Sequence, residues 1–179
     1  MRWADDGFRY GLVTRALHWL MAGLLVWQFT GMAVKLIVGR APITAFWVGT
    51  HKDIGLLLLA LLLIRAVWGL ANLKLRPPHQ PGFWGLAALV GHLVLYGLML
   101  VVPSLALLRQ IGSGRALEFF GLELMAGQGV KTDWMTAPAN AAHGLLAWVL
   151  LAAIAGHILM VLVHRFVWKD GVTDGMIGR

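Results

Sequence analysis

The chain has 179 residues, of which 59% are hydrophobic and 13% charged, with a mean hydropathy of +0.76; an ordinary soluble domain carries roughly 25% charge, so this composition belongs in a membrane. The absence of cysteine excludes disulfides, thiolate zinc sites, iron–sulfur clusters and c-type haem attachment. The net charge of +7 is scattered rather than gathered into a basic run, which fits topology and anionic lipid and argues against nucleic acid.

The opening "MRWADDGFRYG" is polar and predicts an arm at the membrane surface. Four apolar stretches follow, 14–36, 51–73, 82–108 and 141–163, each of spanning length where about 20 residues cross about 30 Å of hydrocarbon. The first begins too late and is too long for a removable signal peptide, so it is expected to be retained. A connection over 38–50 contains "GRAPITAFW", with Gly39 and Pro42 as breakers. The second connection, "LKLRPPHQPGFWG", stops one helix near Arg76 and lets the next begin after Pro81. In the third, 109–140, the run "GRALEFFGLELM" is read as a short interfacial helix. The expected architecture is a single all-α membrane domain over 1–179, an up-down bundle of four antiparallel helices whose interior can hold cofactors. Both termini then lie on one side. Nine Lys and Arg residues fall on that side against six on the other, which predicts cytoplasmic termini.

The last stretch, from Ala139 to Asp170, holds His143 and His157. Fourteen helical residues return a side chain to within about 40° of its starting direction and displace it about 21 Å. The two imidazoles therefore share one face at two depths. His51, at the start of the second stretch, matches His143 in depth, and His18, early in the first, matches His157. Two imidazoles from different helices at one level suit bis-histidine ligation of haem b, and four such residues predict two haems with iron held by His18 with His157 and by His51 with His143. Gly55, Gly144 and Gly156 flank these ligands and leave room for a flat macrocycle. Arg65 follows His51 by fourteen residues, and a charge at that depth costs about 3 kcal/mol or more unless paired, which a haem propionate supplies. His92, without a partner at its depth, is read as a hydrogen-bonding or propionate-binding residue. His164 is an alternative inner ligand, and His79 is expected to be solvated.

The segments "YGLVTRALHWL", "HKDIGLLLLALLLIRAVWGL", "LRPPHQP", "GHLVLYGLMLVVP" and the "HG" to "GH" to "FVWKD" of the last helix, in that order over nearly the whole chain, resemble the bacterial cytochrome b561 family. The resemblance implies a four-helix inner-membrane protein with two b haems on the same four histidines. Small free-standing members include superoxide oxidase, so it also implies oxidation of superoxide to dioxygen at the outer haem and reduction of ubiquinone. The outward cations Lys35, Arg40, Lys52, Arg109, Arg115 and Lys131 outnumber the outward acids Asp53, Glu118, Glu123 and Asp133 by two, a bias suited to an anionic substrate. Lys52, beside His51, is the candidate catalytic residue. The alternative is a cytochrome b subunit that docks a soluble dehydrogenase or hydrogenase as redox partner and passes electrons to quinone; the short arms argue for a stand-alone protein. A transporter lacks support, since neither a broken helix nor an intramembrane acidic pair is evident. Trp47, Lys52, Trp84 and Trp134 are candidates for a quinone pocket.

Overall fold

The computed structural model describes residues 2–77 and 82–178; His79 lies outside the described residues. Four long helices carry the fold: α1 (Leu12–Val38), α2 (Pro42–Ala71), α3 (Phe83–Gly112) and α4 (Asp133–Leu162). A π-helical turn, Val163–Trp168, extends α4, and all four helices are long and apolar enough to cross a membrane. The expected all-α bundle is therefore present. Helix α1 packs on α2, α3 on α4, and α2 also touches α3. The small buried centre joins Met21 of α1 to Leu58 and Leu62 of α2, with Tyr96 and Met99 of α3 against it. In lipid such contacts stabilise by van der Waals fit rather than by expelling water, which is why a thin core suffices.

Two connections differ from the sequence reading. Helix α2 begins at Pro42, so the α1–α2 turn is only Gly39–Arg40–Ala41 and His51 stands nine residues, about 13 Å, inside its helix. Proline acts here as a first-turn residue, where its missing N–H is no loss, and not as a breaker. The run "GRALEFFGLELM" is not a helix: it forms the antiparallel pair β1 (Leu117–Phe119) and β2 (Leu122–Met125), with Phe119 opposite Leu122. The two-residue turn needs positive φ at both central positions, and Phe120 (46°) and Gly121 (83°) supply it. Alternation of Leu, Glu and Phe is a period of two, and it overrides the weaker helical reading.

The end of the bundle opposite this hairpin holds the N-terminal arm and the C-terminal segment, and the arm is folded rather than merely superficial. Asp5 is 3% exposed; one carboxylate oxygen accepts from the Gly11 amide and the Thr14 hydroxyl, both at 2.8 Å. The indole of Trp68 donates to the same hydroxyl at 3.0 Å, tying arm, α1 and α2 together. Gly11 is required there, since a Cβ would collide with the backbone of Ala4. Asp6 accepts the amides of Arg9 and Phe8, which hold its carboxyl below the usual range. The C-terminal helix α5 (Asp174–Ile177) docks on the same end through Arg165–Asp174 at 2.9 Å and through Arg15 and Trp19, which donate to the carbonyls of Ile177 and Met176.

Candidate functional site

Helix α4 supplies one histidine to each of two levels. At the level nearer the hairpin, His143 faces His51 of α2 with ring centroids 6.2 Å apart. At the level nearer the termini, His157 faces His18 of α1 at 6.4 Å. A metal–nitrogen bond of about 2.0 Å on either side, plus roughly 1.2 Å from ring nitrogen to ring centre, separates two imidazoles on one ion by about 6.4 Å. Both pairs thus have the spacing of opposed axial ligands. The tautomer also suits the task at His143: its Nδ1 lies 3.0 Å from the Val102 carbonyl, which can only accept, so Nδ1 carries the proton and Nε2 keeps its lone pair. Open space adjoins α4 at both levels, since a Cβ on Gly144 or Gly156 would meet nothing.

A cavity of about 220 Å³ contains His51 and His143. Gly55, Met21 and Met99 contribute to its wall, and Lys52, Arg109 and Arg115 stand around it; no carboxylate lines it among the described residues. Arg115 and Leu117 reach the cavity because the hairpin folds over it, anchored by Gln110 Nε2 donating to the Ala116 carbonyl at 2.8 Å. The outward charges therefore divide by role. Three cations gather at this cavity, Lys131 pairs with Asp133 at 2.6 Å, and Lys35 and Arg40 lie in a separate cleft.

The termini-side level holds a third imidazole. His92 of α3 lies 5.4 Å from His157, so the expectation that it lacks a partner at its depth is corrected. The stagger between neighbouring helices decides this, and it cannot be counted along one helix. That separation is shorter than the spacing across an ion, and Nδ1 of His92 sits 2.6 Å from the Ala88 carbonyl. Arg65 reaches the same region: its Nε donates to the Tyr96 hydroxyl at 2.9 Å and its Nη1 to the Thr14 carbonyl at 3.4 Å. Both partners are neutral, and among the described residues the guanidinium makes no ion pair. His164 is drawn to Asp170, with Nδ1 and Oδ2 2.7 Å apart, and stacks edge-on to Trp168.

Three contributing residues escape a search for histidines and charges. Gln28 donates to the carbonyl of His51 at 3.0 Å and fixes α1 against the His51 turn of α2; a lone amide in an apolar stretch was its signal. Tyr96 and Thr14 hold Arg65. The four candidates for a quinone pocket are not brought together: Trp47 packs on Trp27 near the α1–α2 turn, Trp84 packs on Trp168 at the opposite end, and Trp134 is 71% exposed.

The sequence also has relatives among known proteins. The sequence matches the profile of the prokaryotic cytochrome b561 family over residues 9–179. It is similar to "Cytochrome b561 homolog 2" of Escherichia coli (strain K12), at 30% identity over 100% of this chain and 96% of that protein. It is also similar to "Probable superoxide oxidase CybB" of Yersinia pestis, at 27% identity over 90% and 92% of the two chains. The chain belongs to the prokaryotic cytochrome b561 family, as a multi-pass membrane electron-transfer protein that binds b haem.

Proposed function

We propose that the protein is a superoxide:ubiquinone oxidoreductase of the bacterial inner membrane with two b haems, one at each histidine level. His51 and His143 would hold one haem iron near the hairpin, and His18 and His157 the other near the termini; the ring separations of 6.2 and 6.4 Å support this assignment. When bound, the haems supply one-electron carriers at two depths of the membrane. The observation that carries the functional reading is the cavity at His51 and His143, with Lys52, Arg109 and Arg115 around it and no carboxylate among its described lining residues. Superoxide is a small anion, and a cleft lined by one sign of charge raises its local concentration. Lys52, next to His51 in sequence, is the cation we assign to guiding that anion.

The nine-to-six distribution of Lys and Arg supports cytoplasmic termini, and with them a cation-lined cavity that faces the periplasm. Two superoxide ions each give up one electron and leave as dioxygen; the two electrons, with two protons, convert one ubiquinone to ubiquinol in the surrounding lipid. At the inner level Arg65 would pair with a haem propionate, and His92 would serve as a hydrogen-bonding group beside His157. The similarity to a protein named as a probable superoxide oxidase supports the same reaction class. The test is steady-state ubiquinone reduction by purified protein with a superoxide-generating system. Reduction abolished by superoxide dismutase is expected. Reduction that persists with the dismutase, or that appears only with a co-purifying soluble dehydrogenase or hydrogenase, would favour an electron-transfer subunit.

A further inference from the structure

The N-terminal arm meets the bundle at a buried polar junction that the proposed reaction leaves without a role. Its centre is Thr14, in the first turn of α1 and 2% exposed, with Asp5 of the arm beside it. The Trp68 indole can only donate, so the Thr14 hydroxyl accepts from it at 3.0 Å and gives its own proton to the Asp5 carboxylate at 2.8 Å. A directed chain from α2 through α1 to the arm results, and no apolar side chain at position 14 could carry it. The arm is anchored behind Asp5 as well. Gly11 donates to the same carboxylate oxygen at 2.8 Å, Gly7 donates to the Leu75 carbonyl at 2.7 Å in the turn after α2, and Arg76 stands 3.8 Å from the other oxygen.

This junction adjoins the termini-side histidine level on two elements. Thr14 precedes His18 by four residues, one helical turn, so both lie on one face of α1. The Thr14 carbonyl accepts Nη1 of Arg65 at 3.4 Å, and Trp68, three residues after Arg65, lies on the same face of α2. Thr14 thus meets α2 at Arg65 and at Trp68, while Tyr96 of α3 holds Arg65 from its other side at 2.9 Å. We propose that Asp5 is a positioning residue for the termini-side level: acting through Thr14, it fixes the α1 turn that precedes His18 and keeps Arg65 placed for a haem propionate. This inference rests on the haem assigned to His18 and His157 in the function proposed above.

Two effects of Asp5 on that haem have opposite signs. Its negative charge favours the oxidised, more positive iron, so removal of the charge alone raises the potential; its hold on Arg65 keeps a cation near the iron, so loss of the hold lowers it. The experiment is a spectroscopic redox titration of the haem-loaded, detergent-purified protein, with haem content measured alongside. Thr14→Val keeps the shape of the side chain and every charge, and it should lower the potential of the termini-side haem by the equivalent of about a threefold change in its one-electron equilibrium. Thr14→Ser should restore it. Asp5→Ala should shift the potential in the same direction as Thr14→Val, whereas Asp5→Asn, which retains an acceptor oxygen without the charge, should lie at or above wild type. The hairpin-side haem should not move, and Thr14→Val should add nothing in an Arg65→Leu background.

A wild-type potential in Thr14→Val protein that retains both haems would overturn the positioning role and leave the haem assignment standing. Equal rises in Asp5→Ala and Asp5→Asn would reduce Asp5 to a charge and overturn it too, as would a full Thr14→Val shift on top of Arg65→Leu. Should Thr14→Val fail to hold the termini-side haem, the sign of Asp5→Ala against Asp5→Asn decides in the same way. A wild-type protein without haem at His18 and His157 would overturn the proposed function and this inference together.

Discussion

At the scale of single residues, the assignment rests on what a pair of imidazoles can do together. Loss of one axial ligand breaks its own site and leaves both ligands of the other, so His143→Ala should lower the haem-to-protein ratio from about two towards one. The remaining spectrum should be that of the His18–His157 level, while a variant that keeps two haems with unchanged spectra would refute the pairing. Arg65 allows a finer test, since its partners Tyr96 and Thr14 hold it in place without cancelling its charge. A cation near iron disfavours the oxidised, more positive state. Arg65→Leu should therefore lower the potential of the termini-side haem by about 60 mV, equivalent to a tenfold change in a one-electron equilibrium. Arg65→Lys should recover most of the difference in a redox titration. Equal potentials for all three proteins would make Arg65 a purely structural residue.

At the scale of elements, the hairpin is the piece that brings Arg115 and Leu117 to the cavity, and its turn depends on the left-handed backbone at Gly121. A branched side chain there costs roughly 1–2 kcal/mol. Gly121→Val should loosen the pair enough to raise amide exchange across Leu117–Met125 and slow donor oxidation, with both haems retained. Exchange as slow as in wild type would show that the helices alone hold the segment. The four spans were legible because apolar length is a strong signal, and so were the paired depths of His143 and His157, because they lie on one continuous helix. The hairpin was hidden by apolar residues compatible with either period, although Gly121 and the Leu–Glu alternation pointed to two strands. The start of α2 was hidden because Pro42 can end a helix or begin one, and only the packing of the turn decides. His92 was misplaced for a different reason. Depth can be counted along one helix, but the offset between α3 and α4 is set by their packing. The buried role of Asp5 was likewise invisible in a polar arm, since its partners Thr14 and Trp68 lie on two other elements.

At the scale of the whole molecule, the cations sort by position relative to the two histidine levels. Three cations surround the cavity at His51 and His143, and the remaining outward cations are engaged with Asp133 or placed at the α1–α2 cleft. An anionic donor should be guided to the first site by long-range attraction, whereas a neutral quinol delivering electrons in the reverse direction should not. Screening lengths fall from about 10 Å at 0.1 M salt to about 3 Å at 1 M, so guidance should fade over that range. The most direct measurement is stopped-flow haem reduction by superoxide, for wild type and Lys52→Glu, between those two salt concentrations. The account predicts a wild-type rate that falls with salt and a Lys52→Glu rate about tenfold lower at 0.1 M, converging with wild type at 1 M, with both haems present throughout. Rates that are equal for the two proteins and independent of salt would contradict it.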